Sequence, residues 1–81
     1  MTLHRVVTFA RYAELMGGNQ LEVELPEPAT VNDLIIALRS LPGGDLLPEH
    51  PLVAVNLSQA ALDHRVDPGD ELSLLPPMSG G

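Results

Sequence analysis

The sequence predicts an α+β domain: a mixed sheet of four to five strands with one main helix packed on one face. Three observations lead there. Val31 to Leu41 repeats apolar residues at helical spacing. Residues 20–25 alternate apolar and polar side chains with a period of two. The strand-like segments lie on both sides of that helix in chain order, and one amphipathic helix can cover only one face of a sheet.

Leu3 to Ala10 is rich in β-branched and aromatic residues and reads as a first strand. Tyr12 to Met16 is expected to form a short helical turn, closed by Gly17-Gly18-Asn19. Leu21, Val23 and Leu25 then alternate with Gln20, Glu22 and Glu24. Acids on one side of that alternation mark a half-exposed strand, antiparallel to the first. Pro26-Glu27-Pro28 ends it. Thr30 is a good N-cap, and Asp33 completes a near capping box that also suits the helix dipole. Val31, Leu34, Ile35, Leu38 and Leu41 make one buried stripe, and Ile36 and Ala37 widen it. Pro42-Gly43-Gly44 stops the helix, the only full one expected.

Residues 43–51 read as a loop with Pro48 and Pro51. Leu52 to Leu57 is apolar on both parities, as a strand covered on both faces would be. Ala60 to Leu62 is expected as a short edge strand. Asp67-Pro68-Gly69-Asp70 has proline and glycine at the central positions of a type II turn. Glu71 to Leu75 is the last strand. The order β-β-α-β-(β)-β is that of the β-grasp, or ubiquitin-like, arrangement. A ferredoxin-like fold is the alternative, and it needs a second helix. The body spans residues 1–75 and an extended tail spans 76–81.

The 81 residues carry a net charge of −7, so phosphate backbones are repelled and no nucleic-acid partner is expected. No apolar run approaches the roughly 20 residues of a membrane span. The start of the chain does not read as a signal peptide. With no cysteine, neither a disulfide framework nor a thiolate metal site is expected. Cytoplasmic residence follows as the default. An acidic surface suits a basic protein partner. Lysine is absent and all four cations are arginine. That excludes a Walker-type phosphate loop and leaves no side-chain amine to attack an activated C-terminus.

Internal chemistry is not apparent. His4, His50 and His64 are scattered, so no metal site is expected. Asp63-His64 has no serine or cysteine nucleophile beside it. Solvated alternation accounts for Glu22 and Glu24. The remaining candidate is the end of the chain, Pro76-Pro77-Met78-Ser79-Gly80-Gly81. Prolines cannot extend the sheet and project stiffly. Six extended residues reach at most about 20 Å. Two glycines lack Cβ atoms, so another protein's active site can close around the backbone. The Gly81 carboxylate is the candidate reactive group.

Several segments carry a family resemblance. Phe9-Ala10-Arg11-Tyr12-Ala13-Glu14-Leu15-Met16-Gly17 resembles the opening F-A-x-x-R-E-x-x-G of the small subunits of molybdopterin synthase, which are ubiquitin-like sulfur carriers. Gly69-Asp70-Glu71-Leu72, followed by Leu74-Leu75 and the tail, resembles their G-D-E-V ending and its terminal P-P-V-[SA]-G-G. Ala29 to Leu34 is similar to A-T-V-x-D-L, and Val55-Asn56 to the V-N of a central strand. Ala13 stands where the family commonly has arginine, Leu74 and Leu75 where an aromatic is frequent, and Met78 where valine is usual.

The resemblance implies that a ubiquitin-activating-type adenylyltransferase transfers AMP from ATP to Gly81. A sulfur donor protein then converts the adenylate to a thiocarboxylate. No cofactor is bound permanently. The charged tail enters the large subunit of molybdopterin synthase and donates sulfur to cyclic pyranopterin monophosphate. The chain is not catalytic alone. Leu75, Leu57, Val55, Asp70 and Glu71 are the expected partner-binding residues of the body. Two alternatives stay open: a sulfur carrier for thiamine, tRNA thiolation or cysteine synthesis, and a ubiquitin-like protein modifier.

Overall fold

The computed structural model describes residues 1–75. Strand β1 (Thr2–Thr8) leads through helix α1 (Ala10–Met16) into β2 (Gln20–Leu25). A short β3 (Ala29–Thr30) precedes the main helix α2 (Val31–Arg39), and a single 3₁₀ turn spans Gly44–Leu46. Then follow β4 (Leu52–Val55), β5 (Ser58–Gln59), β6 (Arg65–Val66) and β7 (Leu72–Leu75). The main sheet runs β2-β1-β7-β4-β5, and β3 pairs separately with β6. β1 and β7 are parallel, while the other pairs are antiparallel. This is the expected β-grasp, with α2 on one face.

Parity decides which side chains make the core. His4, Val6 and Thr8 of β1 are buried, while Leu3 and Arg5 are exposed. Val6 lies opposite Leu72, and Leu72 opposite Val55. Thr8 lies opposite Leu74, and Leu74 opposite Val53. These rows meet Val31, Leu34, Ile35 and Leu38 of α2, all buried. The intervening residues Leu52, Ala54, Ser73, Leu75 and Val7 fall on the other side of the sheet, since successive strand residues alternate faces.

The capping box of α2 is complete. The Asp33 N–H donates to Thr30 Oγ1 at 3.3 Å, and the Thr30 N–H donates to Asp33 Oδ2 at 2.9 Å. The loop before β6 takes two more free amides: Val31 N–H donates to the His64 carbonyl and Asn32 N–H to that of Leu62, both at 2.9 Å. A helix start leaves four such donors without intrahelical partners. The β3–β6 pair thus docks the N-terminus of α2.

Five expectations are corrected. α1 is a seven-residue helix, longer than the turn expected, closed by Gly17 in the left-handed region. It lies between neighbouring antiparallel strands, so it is not the crossover helix of a ferredoxin-like fold. Ile36 is 57% exposed, because it falls off the α2 stripe and does not widen it. α2 ends at Arg39, and Leu41 N–H continues with a tighter bond to the Leu38 carbonyl at 3.1 Å. β4 ends at Val55, since Asn56 and Leu57 have φ of 53° and 71° and turn the chain. Positive φ at both centres is the geometry of a two-residue hairpin. The edge strand is therefore Ser58–Gln59, and Ala60–Leu62 follows it as irregular chain.

Gly43 and Gly69 predict contrasting effects. Both have positive φ, 84° and 91°. A Cβ on Gly69 meets nothing within 4 Å, whereas one on Gly43 strikes the Leu15 carbonyl. Gly69→Ala is expected to lose about 1–2 kcal/mol from the left-handed backbone alone. Gly43→Ala should lose about 1–3 kcal/mol more through overpacking. Urea unfolding of the two variants measures the difference, and equal losses contradict the close approach of the loop to α1.

Candidate functional site

The candidate site is the end of β7 and the sheet face beside it. β7 is the middle strand, flanked by β1 and β4. Leu72, Ser73 and Leu74 are buried and Leu75 is half-buried. β1 pairs with the strand through Leu74 and β4 through Leu75, where the described chain ends.

Its beginning is held by a turn and a side-chain clip. Gly69 adopts the left-handed conformation that a type II turn requires, and Asp70 N–H closes the turn on the Asp67 carbonyl at 3.1 Å. Asp70 Oδ2 accepts from the Asp67 N–H at 2.8 Å. Asn56, at the tip of the β4–β5 hairpin, binds the same segment three times. Its N–H donates to the Glu71 carbonyl at 2.7 Å, its Nδ2 donates to Asp70 Oδ1 at 3.0 Å, and its Oδ1 accepts from the Glu71 N–H at 2.9 Å. Asparagine tolerates positive φ better than most residues, so one residue both makes the turn and ties it to β7. The Asp67 N–H, then the Asn56 amide, hold the Asp70 carboxyl below its ordinary value of 3.8.

On the sheet face away from α2, Leu52 lies opposite Leu75, and Ala54 opposite Ser73, which in turn is opposite Val7. Phe9 is exposed just beyond the end of β1. The face is thus apolar beside the end of β7. It becomes charged toward β2, where Arg5 lies opposite Glu22 and reaches it at 4.0 Å.

The expected site residues are placed as follows. Pro76, Pro77, Met78, Ser79, Gly80 and Gly81 lie outside the described residues. Leu75 stands on the open face. Leu57 is 82% exposed at the hairpin tip. Asp70 and Glu71 form the clipped turn. Val55 is the correction: it lies on the α2 side of β4, 5% exposed, and a partner does not reach it. Leu52 takes its place, because it has the opposite parity and is half-buried, whereas Ala54 shares that parity but is itself only 5% exposed. Sequence reasoning missed it, since both parities of that strand are apolar. It also missed the Asn56 clip, whose signals are an asparagine directly after an apolar run and the Val55-Asn56 pair within the family resemblance. Among the described residues no cluster of three metal-ligating side chains occurs. No described helix is long and apolar enough to cross a membrane.

An α+β body with a β-grasp sheet whose central strand is the last described element has the fold of ubiquitin-like proteins. The sequence profile of the ThiS family matches residues 6–81. Small archaeal modifier protein 1 of Haloferax volcanii is 39% identical over 82 residues, covering 90% of this chain and 94% of that protein. The molybdopterin synthase sulfur carrier subunit of Drosophila yakuba is 35% identical over 79 residues, covering 94% and 88%. The crystal structure of the Haloferax volcanii protein superposes with a TM-score of 0.81 at 34% identity, over 99% of this chain and all of that one. The chain belongs to the ThiS family and has the fold of the ubiquitin-like sulfur carriers.

The clip predicts a pH dependence. A carboxyl held low in the native state stabilises the fold above its unfolded value, near 3.8. That contribution disappears as pH falls through the still lower native value. Asp70→Asn should therefore be less stable than wild type at pH 7 and equally stable at the acid end. Denaturant titrations from pH 7 down to about pH 2 test this, and a deficit that persists unchanged in acid excludes the ionised clip as its source.

Proposed function

We propose that this chain is the sulfur-carrier subunit of a molybdopterin synthase, with the Gly81 carboxylate as the group that carries sulfur. One observation carries the reading. The central strand runs to Leu75 beside half-buried Leu52 on the sheet face away from α2, and Pro76-Pro77-Met78-Ser79-Gly80-Gly81 follows it directly in the sequence. The body then offers a docking face, and the tail a thin, stiff lead into a partner's active site. The 35% identity to a molybdopterin synthase sulfur carrier subunit supports this branch of the family.

The chemistry starts from a poor electrophile. A carboxylate delocalises its charge and its oxygen leaves badly. Its attack on the α-phosphorus of ATP, in a separate adenylyltransferase, releases pyrophosphate and forms a mixed anhydride. A persulfide sulfur of a donor protein adds to that carbonyl and AMP departs, giving an acyl disulfide. A thiol then attacks the donor sulfur of that bond, becomes part of a disulfide with the donor, and releases the thiocarboxylate. The tail then enters the large subunit and supplies sulfur to cyclic pyranopterin monophosphate. In this reading acid–base groups come from the partner.

A second reading rests on the 39% identity to a small archaeal modifier protein. In that reading the same adenylate is attacked by a target lysine and an isopeptide bond forms. Mass spectrometry of protein isolated from its own cells separates the two. Sulfur transfer gives one species heavier by the exchange of oxygen for sulfur, and conjugation gives a ladder of adducts. In a reconstituted synthase, deleting Gly81 or adding one residue after it should abolish molybdopterin formation and leave the thermal melt unchanged. Full activity of an extended protein shown to be untrimmed refutes the carrier reading.

The docking face makes a separate prediction. Leu75→Glu should weaken association with the large subunit by about tenfold or more, because a carboxylate would be desolvated in the contact. Leu57→Glu, at the hairpin tip, reports whether the contact extends that far. Isothermal titration against the large subunit gives both values, and unchanged affinity for Leu75→Glu removes the end of β7 from the interface.

A further inference from the structure

The two edges of the main sheet are treated differently. β5 is only two residues long, Ser58–Gln59, and presents almost no free backbone. β2 runs six residues, Gln20–Leu25, and forms the other edge. It contains no proline, and its outer side is paired with no described strand. A long unpaired edge is a template for a further strand.

A groove of about 370 Å³ runs along this edge. Val23, Ala37 and Leu41 give it apolar lining, and Glu22 and Glu24 stand beside it. It is bounded by the C-terminal turn of α2 through Ala37, Ser40 and Leu41. A helix C-terminus is the negative end of the macrodipole. The cation in that turn, Arg39, is not part of the lining. Its guanidinium donates instead to the carbonyls of Leu47 and Pro48, each at 2.9 Å.

Charge selects the occupant. If a second copy paired antiparallel through its own β2, glutamates of both copies would share the same outer face, and like charges across strands are destabilising. Paired parallel, the glutamates of one copy would lie on the Val23 side of the other. An extended segment with alternating apolar and basic residues meets no such conflict. Side chains of an added strand alternate faces in step with β2. Its apolar residues would point with Val23 toward the last turn of α2. Its basic residues would point with Glu22 and Glu24 on the opposite face.

We propose that the β2 edge is a second docking surface, which takes an extended segment of a partner protein with alternating basic and apolar side chains as an added strand. It is separate from the end of β7 and does not depend on the chemistry of Gly81. The mode is β-augmentation, in which main-chain hydrogen bonds give affinity and side-chain alternation gives specificity.

The test uses the full chain, labelled with ¹⁵N, and a capped hexapeptide of alternating arginine and valine. Saturable shifts confined to Gln20–Leu25 and the last turn of α2 are expected, with slowed amide exchange along β2 and nuclear Overhauser contacts from peptide valines to Leu41. The double variant E22K/E24K should bind this peptide about tenfold more weakly and prefer its glutamate–valine counterpart. Both substitutions are on exposed side chains, so the dispersed spectrum should persist. The proposal is overturned by shifts centred on Leu52 and Leu75, by shifts spread over the whole acidic surface, by equal binding of an arginine–glycine peptide, or by self-association through β2 without peptide.

Discussion

The parallel pairing of β1 with β7 is the constraint on which the rest of the structure depends. Parallel neighbours cannot be joined by a tight turn, so the chain between them must cross over. Here that crossover is nearly the whole protein. It holds α2, which covers one sheet face, and β4, which closes the far edge of β7. The pairing also brings Leu72 and Leu74 into the same rows as Val6 and Thr8. A strand that is last in sequence becomes the middle of the sheet. The end of the described chain is therefore held in the middle of the sheet.

Two smaller devices make the crossover determinate. Thr30 ends β3 and caps α2, so helix and strand share one residue and the axis of α2 cannot drift from the β3–β6 pair. Asn56 performs the corresponding task at the other end. Its three bonds to Asp70 and Glu71 fix the hairpin tip against the start of β7. Each replaces water contacts that the groups would otherwise keep, so the net gain per bond is modest, about 0.5–1.5 kcal/mol. Their larger effect is on register. A slip of one residue in β7 would move Leu72 and Leu74 to the open face and Ser73 to the core.

Much of this was legible in the residues. Period-two alternation located β2, and helical spacing with Thr30 and Asp33 located α2 and its cap. The proline–glycine pair at 68 and 69 located the type II turn. Failure came where patterns do not discriminate. Leu52 to Val55 is apolar at every position, so nothing local says which parity faces α2, and Val55, expected at a partner contact, lies on the α2 side. β3 and β6 are two residues each and exist only through their mutual pairing. No local propensity reports a partner that is far away in sequence. The tail was legible in a different sense: its meaning rests on chemistry and family membership, because its residues lie outside the described structure.

The charge distribution gives the two candidate docking surfaces different physical characters. The face beside the end of β7 is apolar, with half-buried Leu52 and Leu75 directly opposite one another. Contacts of that kind supply affinity by burying area and say little about orientation. The acids lie elsewhere, at Glu22 and Glu24 along β2 and at Asp67, Asp70 and Glu71 around the clipped turn. They act over about a Debye length, near 10 Å at moderate salt, so they steer a basic partner before the apolar surfaces meet. Under the proposed carrier function, this separation lets charges set orientation while the apolar contact supplies affinity.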